Sequence, residues 1–208
     1  MTRKYELKQR AEQVEETRRR IVGATVDLHL TRGPAATSIA EVARRAGVQR
    51  RTVYNHFPDD GTLFAACSAH WQSLHPAPSP EDWTDLRQGL RALYGWYRET
   101  EPMLANVLRD AELLPSLRDV IEPGLGAYSR AVRQALGRPY GRSRREVDAA
   151  IRVATDFYVW RSLAPLGDDE AAELAAGLVE LAARRSRRDG ARRRGAMGLA
   201  RQGRRERS

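Results

Sequence analysis

Residues 37–57 read Thr-Ser-Ile-Ala-Glu-Val-Ala-Arg-Arg-Ala-Gly-Val-Gln-Arg-Arg-Thr-Val-Tyr-Asn-His-Phe, two short helical patterns separated by one glycine. Ser38 and Glu41 have the S-x-x-E spacing of a capping box at the start of the first helix. Ile39, Val42 and Ala43 give that helix an apolar face at the i, i+3, i+4 spacing. Ala43 is small enough for a second helix to cross close by. Gly47 falls where the chain must turn, and glycine tolerates positive φ without steric cost. Val48 then ties the turn to the core. Such a pair, with a polar face on the second member, is the layout of a DNA-reading helix-turn-helix.

The second helix is expected from about Gln49 to His56. Each residue advances about 100° around the axis. With Val53 and Phe57 on the buried side, Arg51 and Asn55 point most nearly away from it, and Thr52 and Tyr54 flank them. Arginine suits guanine O6/N7 and asparagine suits adenine N6/N7, while flanking hydroxyls suit phosphate oxygens. Thr37, Ser38, Gln49, Arg50 and His56 complete the candidate DNA-contacting set. The plain alternative is a helical hairpin with a solvated charged face. It requires the cap, small residue, turn glycine and polar face to coincide by accident.

From Thr17 to Cys67 the sequence resembles the tetracycline-repressor (TetR) family of bacterial transcription regulators. The resemblance is carried by Arg20-Ile21-Val22, Thr31-Arg32-Gly33, Thr37-Ser38-Ile39-Ala40-Glu41-Val42-Ala43, Ala46-Gly47-Val48, Thr52-Val53-Tyr54-Asn55-His56-Phe57 and Leu63-Phe64. It implies an all-α homodimer. Each chain would have an N-terminal three-helix DNA-binding domain and a C-terminal helical bundle for ligand binding and dimerisation. It also implies DNA contacts from Arg51, Thr52, Tyr54 and His56. There are departures from the family pattern. Gln49 stands where the family often has Ser or Thr, and is a weaker N-cap. Asp60, beside Asp59, stands where the family often has a phosphate-binding Lys. Two carboxylates there stabilise a helix N-terminus but repel DNA, which argues against that phosphate contact. His29 occupies a position that is commonly aromatic and apolar.

The net charge of +9 on 208 residues is a property of the tail. Residues 184–208 hold 11 arginines against Asp189 and Glu206, which accounts for all of it. Within the neutral remainder, residues 1–60 are net basic and residues 61–183 net acidic by the same amount, 4. One cysteine, Cys67, excludes an internal disulfide framework. There is no membrane-spanning apolar run and no apolar signal core in the charged N-terminus, so a cytoplasmic protein is expected. The expected domains are a basic arm and the start of the first helix at 1–15, the helix-turn-helix domain at 16–60, a helical ligand-binding and dimerisation domain at 61–185, and an Arg-rich disordered tail at 186–208.

Beyond Glu81 the pattern stays helical. Leu86, Leu90, Leu93, Tyr94 and Tyr97 form a stripe. Pro102 and Pro115 are expected to open new helices, and Pro123-Gly124 to kink or break the second of these. Residues 144–163 read as one helix with two apolar faces, Val147/Ile151/Ala154/Tyr158 and Val153/Phe157/Trp160. Residues 168–183 carry Leu174, Leu178 and Leu181 beside small alanines. This pair is expected to form a four-helix bundle across a two-fold axis, unless both faces pack within one chain. A dimer places two reading helices about 34 Å apart on a near-palindromic double-stranded operator.

Tyr94, Tyr97, Met103, Asn106, Arg109, Tyr128 and Asp156 are candidates to line a small-molecule effector pocket. Aromatic residues at helical spacing equally make a core, and Asp156 equally pairs with Arg152 one turn earlier. No P-loop, dinucleotide loop or nucleophile elbow is present, and the four histidines with Cys67 make no catalytic set. His70 and His75 are spaced wrongly for a zinc pair on one helix. No enzyme activity, cofactor or metal is expected. The expected function is a ligand-responsive repressor. The alternative is a non-specific nucleoid or RNA binder driven by the tail, which is otherwise a solvated extension or a phosphate grip. Arg3, Lys4, Lys8 and Arg10 in the N-terminal arm would act similarly near the minor groove.

Overall fold

The computed structural model describes residues 2–141 and 145–205, with side-chain surroundings for residues 5–141 and 145–188. The described secondary structure is helical: α1 (Thr2–Arg32), α2 (Ile39–Ala46), α3 (Arg50–His56), α4 (Asp60–Leu74), α5 (Leu86–Asp110), α6 (Pro115–Ile121), α7 (Ala127–Gly137), α8 (Arg145–Ala154), α9 (Phe157–Leu163) and α10 (Asp168–Arg205). No helix among the described residues is long and apolar enough to cross a membrane.

The chain divides into two compact units, residues 1–77 with 99–127 and residues 78–98 with 128–208. Residues 61–77 pack in the same unit as the helix-turn-helix segment. The physical reason is the first unit's core. Ile21, Val42, Val53 and Phe57 are buried there against Leu63 and Cys67 of the segment that follows residue 60, and Met103 of α5 completes the cluster. Phe64 adds a smaller cluster with Ala111 and Leu117. Burial pushes the Cys67 thiol up to about 12, as suits an inert core residue.

The second unit buries Leu90, Leu93, Tyr94, Val132, Val147, Ile151, Trp160 and Val179. Its α10 turns Ala171, Ala172, Ala175, Ala176, Val179 and Ala183 inward. These short side chains let α10 lie close against α8, its main partner. Ion pairs join α5 to α10. Arg87 meets Glu173 at 2.8 Å and Glu180 at 2.6 Å, Arg91 meets Asp169 at 3.1 Å, and Arg98 meets Asp168 at 2.8 Å.

Several local expectations change. Pro102 lies inside α5 rather than opening a helix. The lost N–H costs one backbone bond, and the buried residues Leu90, Leu93, Tyr94, Tyr97, Met103 and Leu104 on either side of it hold the helix together. Pro123-Gly124 does interrupt its segment, as a wide turn at Glu122–Gly126 between α6 and α7. The expected single helix over 144–163 is broken at Thr155-Asp156 into α8 and α9. The Arg-rich segment expected to be disordered continues α10 as far as Arg205. Alanine and arginine are both good helix formers, which favours a continued backbone helix. Residues 206–208 of that segment lie outside the described residues. The N-terminal arm is likewise helical from Thr2, and its side chains from Tyr5 to Glu16 are exposed.

Candidate nucleic-acid interface

The reading head is assembled by local chemistry. Ser38 caps α2 by accepting from the Glu41 amide at 3.3 Å, and the Glu41 carboxylate accepts from the Ser38 amide at 3.2 Å. Hydrogen bonds from Ser38, with Arg32 adjacent, hold the Glu41 carboxyl below the usual carboxylate range. Gly47 has φ +67, and its amide turns back to the carbonyls of Ala43 and Arg44. An L-residue there would be strained, so the tight connection between α2 and α3 depends on this glycine. Gln49 is the N-cap of α3 and makes no side-chain cap, as its chemistry predicts. Val53 and Phe57 anchor α3 in the core at 0% and 2% exposure. The Arg18 guanidinium lies 4.5 Å from the centre of the Phe57 ring and ties the end of α3 to α1.

This anchoring sets the outward face. Gln49, Arg50, Arg51, Tyr54 and Asn55 are exposed, and Thr52 and His56 are half-buried beside them. Arg32 and Arg45, by contrast, are engaged with Glu41 and Asp27. Among the described residues Arg50 and Arg51 carry no ion pair, so both remain available to an external anion. Thr37 and Ser38 are placed differently. The Thr37 hydroxyl donates to the Gly33 carbonyl at 2.8 Å, and that of Ser38 to Glu41 at 2.9 Å. Their donor capacity is already used inside the fold. Asp59 caps α4 by accepting from the Thr62 amide at 2.7 Å, and Asp60 opens that helix. Both acids are exposed on the flank of the reading head.

The candidate effector residues fall into two sets. Tyr94, Tyr97, Tyr128 and Asp156 belong to the second unit, and Met103, Asn106 and Arg109 to the first. Tyr94 and Tyr97 donate to the carbonyls of Ala154 and Thr155 at 2.7 and 2.8 Å, sealing the break between α8 and α9. Tyr128 donates to the Pro78 carbonyl at 3.1 Å. Burial raises the pKa of all three phenols above the usual tyrosine value. Asp156 is exposed and is the N-cap of α9, accepting from the amides of Tyr158 and Val159 at 2.9 and 3.0 Å. It is neither a buried carboxylate nor the partner of Arg152 in a helix. The signal for this was in the sequence, since an Asp immediately before an apolar run is a helix start. Met103 is buried in the first unit's core. Asn106 and Arg109 bond to the backbone at the end of α1. No local sequence pattern reveals those bonds, because their partners lie more than 70 residues away.

Residues 21–67 match the family model for bacterial regulatory proteins of the tetR family. The chain is 36% identical over 140 residues to the HTH-type transcriptional repressor Rv3405c of Mycobacterium tuberculosis, covering 61% of this chain and 72% of that one. It is 37% identical over 54 residues to the HTH-type transcriptional regulator AcrR of Shigella flexneri, covering 26% of this chain and a quarter (25%) of that one. A TetR-family regulator from Marinobacter aquaeolei shares the fold with a TM-score of 0.52 at 23% identity, over 83% of this chain and 97% of that one. The matched segment contains the capping box, the turn glycine and the whole of α3. The chain belongs to the tetR family of bacterial regulatory proteins and is a helix-turn-helix transcriptional regulator.

Proposed function

We propose that the chain is a ligand-responsive repressor that binds a near-palindromic operator as a dimer. The observation that carries the operator reading is the outward face of α3. There Arg51 and Asn55 lie one turn apart, exposed and free to address base edges, with Arg50, Tyr54, Thr52, His56 and Gln49 around them. Thr37 and Ser38 stand at the entry to α2 with both hydroxyls and both amides already donating inside the fold, so the contacts of α3 outweigh theirs. The mycobacterial relative is a repressor, which supports the same sign here. Such a protein acts in the bacterial cytoplasm, beside the chromosome.

Dimerisation is supported by the apolar side chains that the second unit leaves in solvent. Leu174, Leu178 and Leu181 on α10 are 57%, 42% and 61% exposed, and Val153 and Tyr158 are 44% and 48% exposed. Leu174, Leu178 and Leu181 lie on one face of α10, opposite the alanines that pack inward. Burying each leucine against a second copy would contribute about 1.5–3 kcal/mol before the cost of association. The effector site is proposed for the aromatic cluster of the second unit. There Tyr97 packs 5.4 Å from Phe157 and 5.5 Å from Trp160 between ring centres, and Trp96 lies 5.4 Å from Tyr128. The Trp160 indole N–H is buried with no protein acceptor, so a ligand oxygen has a donor to meet.

Selection from a random duplex pool tests the proposal. The expected product is a consensus of two inverted half-sites one helical turn apart. Recovery of every sequence with equal affinity would instead favour a non-specific binder acting through its arginines.

A further inference from the structure

We infer that Asn106, Arg109 and Asp110, at the end of α5, are positioning residues for operator binding: they clamp the C-terminus of α1 and the turn into α2, and so set where the reading head begins. The inference rests on the reading of α3 as the operator-contacting helix.

The last four carbonyls of a helix, here those of residues 29–32, lack intrahelical partners. In this chain side chains of α5 reach three of them, those of His29, Leu30 and Arg32. Asn106 Nδ2 donates to the carbonyls of His29 at 2.9 Å and Leu30 at 3.0 Å. Arg109 Nη2 donates to the carbonyl of Arg32 at 3.2 Å. The chain then turns at Gly33, whose φ is +92 and whose amide returns to the His29 carbonyl at 3.0 Å. A Cβ at Gly33 would collide with Arg109 Nη2 and Asp110 Oδ2, so the turn is packed directly against the clamp. Two residues later the Ala35 amide donates to Asp110 Oδ2 at 2.9 Å. The other oxygen of that carboxylate accepts from Arg109 Nε at 2.7 Å.

Asp110 is 1% exposed. A buried carboxylate with one guanidinium partner is a poor source of stability, since well-packed apolar groups commonly do as well. What an apolar group cannot do is hold one particular amide at one particular place. The amide held is that of Ala35, four residues before α2 begins at Ile39. The capping box, the Gly47 turn and α3 follow without a further loop. An error in the position of Ala35 is therefore carried into the reading face, while Arg50 and Arg51 keep their charge and exposure.

That separation gives the test. The probes are the consensus duplex selected with the wild-type chain and a scrambled duplex of the same length and salt. Asn106→Leu and Asp110→Asn are each expected to weaken consensus binding about tenfold or more, and scrambled binding by less than about threefold. The Ala35 amide should also exchange faster with solvent. Asn106→Gln keeps both donors on a longer arm, and is expected to retain the wild-type melting temperature while still losing consensus affinity. Unchanged consensus affinity in these variants would overturn the inference, and so would equal losses on both duplexes. Failure of the wild-type chain to select any consensus would sink the operator reading and this inference together.

Discussion

The outward faces of α3, in the first unit, and of α10, in the second, are of opposite kinds. In the first unit the apolar side of α3 is buried to the last residue, and Arg50, Arg51, Tyr54 and Asn55 face solvent. In the second, Arg87, Arg91 and Arg98 are consumed by acids of α10, and Leu174, Leu178 and Leu181 face solvent instead. A cation without an internal partner is available to a polyanion. An apolar stripe without cover is available to another apolar stripe. The contrast teaches that the net charge is a poor guide to which surface is open to a polyanion. What distinguishes the two faces is which charges the fold has already paired.

The comparison can be broken most forcefully at the leucines. Leu174→Glu with Leu178→Glu should convert a dimer to a monomer by light scattering. Operator affinity should fall by roughly 10²–10⁴, the loss of bivalent engagement. A dimer surviving both changes would refute the assignment of that face. Arg51→Ala should cost about 1–3 kcal/mol at each half-site and relax preference at one base pair, read by repeating the duplex selection. A uniform loss across all sequences would make Arg51 a phosphate ligand.

His29 sharpens the contrast from inside the first unit. Burial holds its imidazole down at about 4 against an ordinary value of 6.5, with Asp110 partly opposing the shift. The unfolded chain binds the proton more readily, so this stabilisation is complete above pH 6.5 and is lost as pH falls toward 4. Between pH 7 and pH 5 the loss attributable to His29 should be about 2 kcal/mol in urea unfolding. His29→Phe, facing Phe64 5.7 Å away, should remove that slope. The smallest effect belongs to the exposed ion pairs. Arg87→Ala should lower the melting temperature only slightly, and less still at high salt.

How much of this was legible follows from the range of the interactions. The helix-turn-helix could be read from Ser38, Glu41, Gly47 and Val53, because a cap, a turn and a buried stripe are set by neighbours within four residues. The outward placement of Arg51 and Asn55 followed from the same periodicity. Pro102 misled because its local preference is overridden by packing on both sides of it. Asp156 misled because the apolar stripes continue past the break, and Tyr94 and Tyr97 close that break from another helix. Asn106 and Arg109 read as pocket candidates because polar groups on an inward helix face look alike until their partners are known. Those partners were backbone atoms of α1, which no pattern in the sequence of α5 announces.

Asp59 and Asp60 have a consequence for how the protein finds its target. Both are exposed at the start of α4, shortly after α3 ends; on the proposed reading of α3 as the operator-contacting helix, their carboxylates oppose the phosphate backbone wherever the protein lands. Non-specific affinity is almost wholly a matter of neutralised phosphates, whereas base contacts form at the right sequence alone. Weakening the former while sparing the latter shortens each visit to an incorrect site. Among the vast excess of competing sites in a genome, a head with two acids at its edge spends less of its time in the wrong places.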